Sequence, residues 1–304
     1  MKIEKIGIIG KGALGVMYGK WLAGRLGNSQ VFFLADEARA EAYRASETYS
    51  NGEPCGFQYR TPAEAEPVDL IIFAVKFLGM EAAIETARPF VGEKTVLLSV
   101  LNGVLSEQML EKEFGAEHVV YCCVQGMDAG KDGNAVTYRN MGYISVGNPD
   151  GSRDEKLAAV TELFDRTGLS YEVPADIRRQ MWSKLMLNDG VNQVTAIYKA
   201  PYRLVQKEGE ARTMMVEAMR EVMRTAAFEE VELTEVDIAS WLDLLDHLDP
   251  DGRTSMCQDI MAGRRTEKEL FSGTIRRLAA EHGISAPVND FLYEKLQELE
   301  EGMK

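Results

Sequence analysis

Short apolar runs alternate with amphipathic stretches along the first part of the chain. The apolar runs are nearly continuous and rich in β-branched residues, which is typical of strands buried on both faces of a parallel sheet. They are Ile3–Ile9, Val31–Ala35, Val68–Val75 and Thr95–Val100. Helical spacing of apolar residues occupies Leu14–Leu26, Glu37–Ala45, Leu78–Phe90 and Leu105–Phe114. This alternation predicts an α/β domain whose parallel strands are joined by right-handed crossovers.

The pattern becomes less regular beyond Phe114. The segments Gly130–Asn134 and Arg139–Gly142 are turn-like, so we predict a more antiparallel edge around them. Its strands are Val119–Cys123, Ala135–Tyr138 and Tyr143–Val146, and a helix follows at Ser152–Thr167.

Long helical patterns dominate the chain after Ala175, and the Gly and Pro residues fall between them. The predicted helices are Ile177–Lys199, Glu208–Glu230, Thr234–Leu248, Ser255–Ala262, Thr266–Glu281 and Ala286–Glu301. The prediction is therefore an α/β domain over residues 1–175 and an all-helical domain over 176–304. Several long helices leave apolar faces to cover, so we expect the second domain to supply a homodimer surface.

A glycine-rich motif lies between the first predicted strand and the first predicted helix: Gly10, Lys11, Gly12, Ala13, Leu14 and Gly15. The first glycine permits a tight turn, the second lets a pyrophosphate approach the backbone, and the third lets helix and strand pack closely. The helix N-terminus offers unpaired N–H groups and a partial positive charge to phosphates. In this context the motif predicts a Rossmann-type domain that binds a nicotinamide dinucleotide, although a Gly-rich turn of another α/β fold has the same local pattern.

Asp36 ends the second predicted strand, 21 residues after Gly15. An acid at this position accepts hydrogen bonds from the adenosine ribose and disfavours a 2′-phosphate, which favours NAD(H). Arg39 and Arg44 are close by in the sequence and are able to meet a 2′-phosphate instead. Asp36 also suits the N-cap of the following helix. These residues leave the choice between NAD(H) and NADP(H) open.

Composition narrows the range of partners. The net charge of -14 makes the chain a poor binder of nucleic acid. No segment reaches the ~20 apolar residues needed to span a bilayer, and the N-terminus reads as a strand and not a signal peptide. The spacing of the cysteines and histidines predicts no metal site and a reduced, cytoplasmic protein. These residues are Cys55, Cys122, Cys123, Cys257, His118, His247 and His282.

Polar residues suited to catalysis follow two of the strands and mark one helix. Lys76 and Asn102 follow predicted strands, where ligands of open α/β sheets bind, although a surface lysine and a turn asparagine fit the same positions. Lys184, Asn188 and Asn192 are spaced four residues apart, so they share one face of a helix. Because Asn is a poor helix former, this stripe indicates a ligand-binding face, with a solvated face as the alternative.

A second polar cluster surrounds Ser255 and Glu267. Its residues have purely local explanations, since Ser255 with Gln258 and Thr266 with Glu269 both fit capping boxes. Glu267 also suits a helix N-terminus. The cluster by itself does not predict catalysis.

The ordered set of these motifs resembles the ketopantoate reductases, also called 2-dehydropantoate 2-reductases. The resemblance covers nearly the whole chain. The matching pieces are Gly10–Gly15, Lys76, Asn102-Gly103, the stripe of Lys184, Asn188 and Asn192, and Ser255 with Gln258, Asp259 and Glu267.

The resemblance implies hydride transfer from NADPH to the C2 ketone of ketopantoate, a small 2-oxo acid, giving pantoate for coenzyme A synthesis. It assigns Lys184 as the proton donor and Glu267 as an acid between substrate and cofactor. Substrate contacts would come from Asn102, Asn188, Asn192 and Ser255. Cofactor contacts would come from Lys76, Asn102 and Ala129 in addition to the glycine-rich motif.

Two departures from the family pattern affect these expectations. Asp36 stands where family members that use NADPH usually have arginine. Tyr202 follows Pro201 where the family often has asparagine, which would change one side of the substrate pocket. The alternatives are therefore a reductase of another branched 2-oxo acid and a β-hydroxyacid or opine-type dehydrogenase. A sensor that binds the cofactor without turnover is a further alternative, and Lys184 counts against it.

Overall fold

The computed structural model describes residues 1–303, which divide into two compact units. The first unit contains residues 1–102 and 106–177. The second contains residues 103–105 and the chain from Arg178 onwards. The first unit is α/β and the second is helical, as the hydrophobic pattern predicts.

The first unit contains a five-stranded parallel sheet and two smaller sheets. In chain order its strands are β1 (Ile6–Ile9), β2 (Val31–Leu34), β3 (Tyr49–Ser50), β4 (Glu53–Pro54), β5 (Gln58–Arg60), β6 (Leu70–Phe73), β7 (Val96–Ser99), β8 (Tyr121–Met127), β9 (Gly130–Asp132), β10 (Ala135–Thr137), β11 (Met141–Gly147) and β12 (Tyr171–Glu172). Its helices are α1 (Ala13–Leu26), α2 (Glu37–Arg44), α3 (Met80–Ala87), α4 (Ser106–Phe114) and α5 (Glu155–Thr167).

The large sheet has the order β5-β2-β1-β6-β7. Every pairing in it is parallel. Each of its four longer strands, β1, β2, β6 and β7, is buried along its whole length. Ile6 and Ile8 join the core beneath α1 and α5, whereas Ile9 and Phe73 join the core beneath α3 and α4. The alternate side chains of one strand thus fill two separate cores, which explains why these strands are apolar without a break.

The observed sheets correct the sequence prediction of the strands in three places. β8 and β11 pair antiparallel, as expected, but β10 lies in a different sheet of order β4-β3-β10-β9. Gly130–Asp132, predicted as part of a turn, is a strand that pairs with β10. β5, which no pattern indicated, extends the large sheet beside β2. Strands of two or three residues have no periodicity to detect, because their partners determine them.

A chain of buried polar side chains links the end of β7 to the start of α4. Ser99 Oγ donates to Ser106 Oγ at 2.8 Å, and Ser106 Oγ donates to a Glu107 carboxyl oxygen at 2.8 Å. Burial raises the pKa of Glu107 to about 8, and the hydrogen bond from Ser106 only partly opposes this rise. Glu107 is therefore largely a neutral acid inside the first unit at pH 7.

The second unit consists of helices joined by short turns. They are α6 (Ile177–Ile197), α7 (Arg203–Gln206), α8 (Glu210–Phe228), α9 (Glu235–Asp246), α10 (Ser255–Met261), α11 (Ser272–Glu281) and α12 (Pro287–Glu301). The single helix predicted for Thr266–Glu281 is wrong. A 3₁₀ turn at Lys268–Leu270 precedes α11, and Phe271 between them has a non-helical backbone with φ -109° and ψ -103°.

Both predicted capping boxes are also wrong. The N-cap of α10 is Thr254, whose hydroxyl accepts from the Cys257 amide at 3.2 Å, so Ser255 is the first helical residue. Thr266 directs its hydroxyl to Glu300. The Thr254 hydroxyl therefore caps α10 in place of Ser255, and the Thr266 hydroxyl bonds to Glu300 and does not cap a helix.

Buried carboxyl groups hold four helices of the second unit together. Glu221 on α8 accepts from the backbone amides of Val288 and Asn289 at 2.9 and 2.8 Å, which caps the N-terminus of α12. Asp189 on α6 accepts from Gln193 Nε2 at 2.9 Å. The side chain of Gln193 in turn accepts from the Ser272 hydroxyl at the start of α11 at 2.5 Å. Burial, reinforced by the charge of Glu221, raises the pKa of Asp189 well above its usual range.

Candidate functional site

The glycine-rich turn has no room for a Cβ at two positions. Gly10 follows β1 with φ +105°, and a Cβ there would lie 2.4 Å from the Ala74 carbonyl oxygen. A Cβ on Gly15 would lie 2.0 Å from the carbonyl oxygen of Gly10. The turn therefore packs directly against its own helix and against the end of β6.

Gly12 differs from these two glycines, because the protein leaves space beside it. Its φ of -82° suits any residue, and a Cβ there would meet only the Ala74 carbonyl oxygen, at an ordinary 3.6 Å. Gly12 is the N-cap of α1, where no side chain caps the helix and no acidic residue occupies the first turn. The unpaired N–H groups and the helix dipole suit an anion at this point. The turn thus fits the pyrophosphate of a dinucleotide.

Asp36 lies at the carboxyl end of β2, next to the glycine-rich turn in strand order. Its carboxylate accepts from the Arg39 backbone amide at 2.8 Å, so Asp36 is the N-cap of α2. The Arg39 side chain pairs with the same carboxylate at 3.5 Å, and Arg44 donates to the Tyr59 carbonyl oxygen at 3.0 Å. Asp36 remains half-buried, so one side of its carboxylate faces outward.

Lys11 has surroundings that the sequence did not indicate. Its side chain is only 7% exposed, and its Nζ lies 4.2 Å from the ring centre of Tyr43 and 5.5 Å from that of Tyr59. Lys131 donates to the Lys11 carbonyl oxygen at 2.5 Å. Burial and the positive charge of Lys131 both lower the pKa of Lys11. These partners come from distant parts of the chain, so no local motif could identify them.

The other residues predicted near the cofactor also follow strands. Lys76 is exposed and comes shortly after β6, before a 3₁₀ turn at Phe77–Gly79. Asn102 is half-buried and comes shortly after β7. Ala129 lies between β8 and β9 and is half-buried. Because β1, β6 and β7 are parallel neighbours, the glycine-rich turn, Lys76 and Asn102 lie along one edge of the large sheet.

In the second unit, the predicted polar stripe lies on α6. Lys184, Asn188 and Asn192 occupy one helix face at successive turns. Lys184 and Asn188 are half-buried, and Asn192 is only 8% exposed. A fully solvated face would leave such side chains exposed, so this face is a partly buried polar surface.

Thr254, the residue before Ser255, holds Ser255 near the end of this polar stripe. Thr254 and Thr195 of α6 form a buried hydrogen bond of 2.8 Å between their hydroxyl oxygens. The Thr195 hydroxyl also lies 3.3 Å from the Asn192 carbonyl oxygen. The first turn of α10 therefore packs against α6 one turn beyond Asn192, and Ser255 is exposed there.

Tyr202 and Glu267 occupy two loops of the second unit. The Tyr202 amide donates to the Gly252 carbonyl oxygen at 2.9 Å, and its ring lies against Gly252 just before the start of α10. Glu267 is half-buried and immediately precedes the 3₁₀ turn at Lys268–Leu270. The hydrogen bonds between Ser272 and Gln193 fix the helix that follows this turn to α6.

Two structural features that would indicate other kinds of site are absent from residues 1–303. No three His, Cys, Asp or Glu side chains of this part of the chain are grouped as ligands of a metal ion. Over the same residues, no helix has both the length and the apolar character that a bilayer-spanning helix needs.

Comparisons with known protein families identify the class and then the family. Residues 6–151 match the model described as ketopantoate reductase PanE/ApbA, and residues 176–300 match the model for its C-terminal part. With the glycine-rich turn on a parallel sheet, these matches define an NAD(P)-dependent oxidoreductase that acts on a CH–OH group. The chain belongs to the ketopantoate reductase PanE/ApbA family.

Individual relatives agree with this assignment. A 2-dehydropantoate 2-reductase from Archaeoglobus fulgidus is 26% identical over the full length of both chains. D-mandelate dehydrogenase, solved with NADH and anilino(oxo)acetate, is 25% identical with a TM-score of 0.86, and the match covers 98% of this chain and 99% of that chain. A dimeric ketopantoate reductase from Staphylococcus aureus has the same fold, with 20% identity, a TM-score of 0.80 and coverage of 99% and 100%.

Gly12→Ala tests whether the glycine-rich turn holds a ligand. Because its Cβ meets no protein atom closely, we expect a folded protein, whose melting temperature falls by no more than a few degrees because alanine is a poorer N-cap than glycine. The methyl group would occupy the space that a pyrophosphate needs, so cofactor affinity should fall at least about tenfold, equivalent to about 1.4 kcal/mol. Titration calorimetry with NADH and with NADPH measures this loss.

Gly24→Ala, in the same helix, is the matched control. A Cβ at Gly24 meets nothing within 4 Å. This substitution should leave cofactor affinity unchanged and stabilise α1 by about 0.5–1 kcal/mol. Unchanged affinity in Gly12→Ala would contradict the assignment of the turn.

Proposed function

We propose that this chain reduces 2-dehydropantoate to pantoate with a reduced nicotinamide dinucleotide. The observation that carries the proposal is the partly buried polar face of α6, on which Lys184, Asn188 and Asn192 lie beside the first turn of α10. The Archaeoglobus relative named 2-dehydropantoate 2-reductase, which matches over the whole chain, supports the same substrate. The product, pantoate, would enter pantothenate and coenzyme A synthesis.

In this proposal Lys184 is the proton donor. The reduced nicotinamide, when bound, supplies a hydride to the C2 carbon of the ketone. The Lys184 ammonium donates a hydrogen bond to the ketone oxygen, stabilises the negative charge that develops there, and transfers a proton to it. One hydride and one proton thus convert the ketone into a secondary alcohol, and the lysine regains its proton from solvent.

The neighbouring residues bind and orient the substrate. We assign Asn102, Asn188 and Asn192 as amide hydrogen-bond partners of the substrate oxygens. The exposed Ser255 hydroxyl donates to the substrate carboxylate. Glu267 is the acid that accepts a hydrogen bond beside the reacting group. Fixed hydrogen-bond partners of this kind accelerate a reaction because they hold the substrate in the reactive orientation.

For the cofactor we propose NADH over NADPH. Lys76, Asn102, Ala129 and the glycine-rich turn would hold the dinucleotide, and the half-buried Asp36 would accept from its ribose hydroxyls. The two arginines near Asp36 already have partners: Arg39 pairs with Asp36, and Arg44 contacts Tyr59 and Glu64. The NADH in the D-mandelate dehydrogenase structure supports the same choice.

A second candidate function is the reduction of an aryl 2-oxo acid. Two observations favour it: the likeness to D-mandelate dehydrogenase, and Tyr202, whose ring lies against Gly252 near the start of α10. An aromatic ring at this place would pack against an aryl group better than the asparagine of the family pattern. Comparing kcat/KM for ketopantoate and phenylglyoxylate decides between the two substrates.

Lys184→Ala tests the proposed mechanism. Loss of the proton donor should lower kcat by about 10²–10⁴-fold, the usual contribution of a general acid. The affinity for NADH should stay within about twofold, since Lys184 is not among the residues assigned to the dinucleotide. Oxidation of the reduced nicotinamide, followed by absorbance with ketopantoate present, gives kcat, and calorimetry gives the affinity.

Lys207→Ala is the control, because Lys207 is an exposed lysine of the same unit. It should retain the kcat of the unaltered chain. If Lys184→Ala also retains that kcat, Lys184 is not the proton donor and the mechanism is wrong.

Asp36→Asn tests the cofactor preference. Asparagine caps helices as well as aspartate does, so α2 should keep its stability while the negative charge is lost. We expect the ratio of kcat/KM for NADH to that for NADPH to fall about tenfold, equivalent to about 1.4 kcal/mol. Asp154→Asn, which alters the N-cap of α5 in the same way, should leave the ratio unchanged. An unaltered ratio in Asp36→Asn would mean that Asp36 does not face the ribose.

We also propose that the chain forms a homodimer through the second unit. Tyr198 and Phe291 are exposed aromatic residues there, and they line a cavity of about 300 Å³ with Ile197 and Leu299. The dimeric relative from Staphylococcus aureus supports this assembly. Light scattering should give about twice the chain mass of 33.8 kDa, and Phe291→Asp should halve the measured mass. A monomeric unaltered chain would contradict the proposal.

A further inference from the structure

Glu300, in the last turn of α12, makes an unusually complete set of contacts with the loop before α11. One carboxyl oxygen accepts from the Thr266 backbone amide at 2.8 Å and from the Thr266 hydroxyl at 2.5 Å. The other accepts from Lys268 Nζ at 2.6 Å. The side chains of Lys268 and Glu300 are 11% and 9% exposed, so this ion pair is shielded from water and salt.

These contacts lie on both sides of Glu267. Thr266 precedes Glu267 and Lys268 follows it, so Glu300 holds both of its neighbours in the chain. The carbonyl of Glu267 also accepts from the Leu270 amide at 2.9 Å, which closes the 3₁₀ turn. The backbone at Glu267 is therefore fixed from both directions, although Glu267 lies outside any helix.

The charges around this loop keep the carboxylate of Glu300 ionised. Burial alone would raise its pKa, but hydrogen bonds from Lys268 and Thr266, together with the charge of Lys268, bring the pKa below its usual value. Glu269 lies 3.8 Å from Lys268 Nζ and accepts from the Tyr293 hydroxyl at 2.7 Å. The loop is thus anchored to α12 at several neighbouring points.

We propose that Glu300 is a positioning residue for the reduction, because it fixes the loop of residues 266–268 and thereby the side chain of Glu267. The inference rests on the role that the proposed function gives to Glu267. A catalytic group in a loop gains from such anchoring, since a misplacement of about 1 Å can cost about 10²-fold in rate.

Glu300→Ala and Glu300→Gln test this inference. The alanine variant loses all three contacts, and we expect kcat to fall about 10²-fold. The glutamine variant keeps an oxygen that accepts from Thr266 but loses the charge that pairs with Lys268, so its kcat should fall less. Affinity for NADH should stay within about twofold in both. Glu301→Gln alters an exposed hydrogen bond from Gln297 on the same helix and should retain full kcat.

A double-mutant cycle separates positioning from general stabilisation. In the background of Glu267→Gln, adding Glu300→Ala should cause no further loss of kcat, because the group that Glu300 positions is already altered. If Glu300→Ala lowers kcat by the same factor in the unaltered chain and in Glu267→Gln, the inference is wrong and Glu300 is a purely structural residue. Should Glu300→Ala fail to fold, as judged by circular dichroism and melting temperature, Glu300→Gln replaces it in the cycle.

The cycle also distinguishes a failure of this inference from a failure of the proposed function. If Glu267→Gln alone retains full kcat, the role proposed for Glu267 is wrong and the positioning role falls with it. If Glu267→Gln loses activity and the folded Glu300 variants do not, only the inference about Glu300 is wrong.

Discussion

The close backbone approach at the glycine-rich turn constrains the geometry of the first unit. The carbonyl oxygen of Gly10 lies where a Cβ of Gly15 would be, and Gly10 itself lies against Ala74 at the end of β6. These contacts set how near α1 comes to the sheet and leave the N-terminus of α1 open beside Gly12. The unpaired amides that suit a pyrophosphate therefore depend on close packing that is made mainly by backbone atoms.

Each unit also contains a buried acid. Glu107 in the first unit and Asp189 in the second both have a raised pKa, chiefly because of burial. A neutral carboxylic acid is far less costly to bury than a carboxylate, and it keeps the capacity to donate and accept hydrogen bonds. Asp189 directly follows Asn188 on α6, so buried polar side chains, Asp189 and Gln193 among them, lie on this helix beside its partly buried polar face.

The sequence alone was enough to predict the α/β and helical units, because long apolar patterns and the Gly10–Gly15 motif are local signals. It did not reveal β5 or the small sheet containing β3, since pairing with distant strands decides the conformation of such short segments. It wrongly joined the 3₁₀ turn at Lys268–Leu270 to α11. A single helical pattern spans both, and only tertiary contacts determine the break at Phe271.

The candidate site was also only partly predictable from the sequence. The positions of Asp36, Lys184 and Asn192 on their elements followed from spacing, while their roles remain predictions. The aromatic rings beside Lys11 and the contacts between Glu300 and Thr266 could not be foreseen. Both sets of contacts join residues that are far apart in the chain, and no local sequence pattern distinguishes these residues.

Helix α12 is held at both ends by carboxylates with different partners. Glu221 of α8 binds the amides at its first turn, and Glu300 in its last turn binds the loop that carries Glu267. Its fifteen residues span about 22 Å, and an intact helix of that length resists compression. α12 is therefore the structural link between α8 and this loop. The second unit thus contains a spacer of fixed length between its packed interior and the loop that carries Glu267.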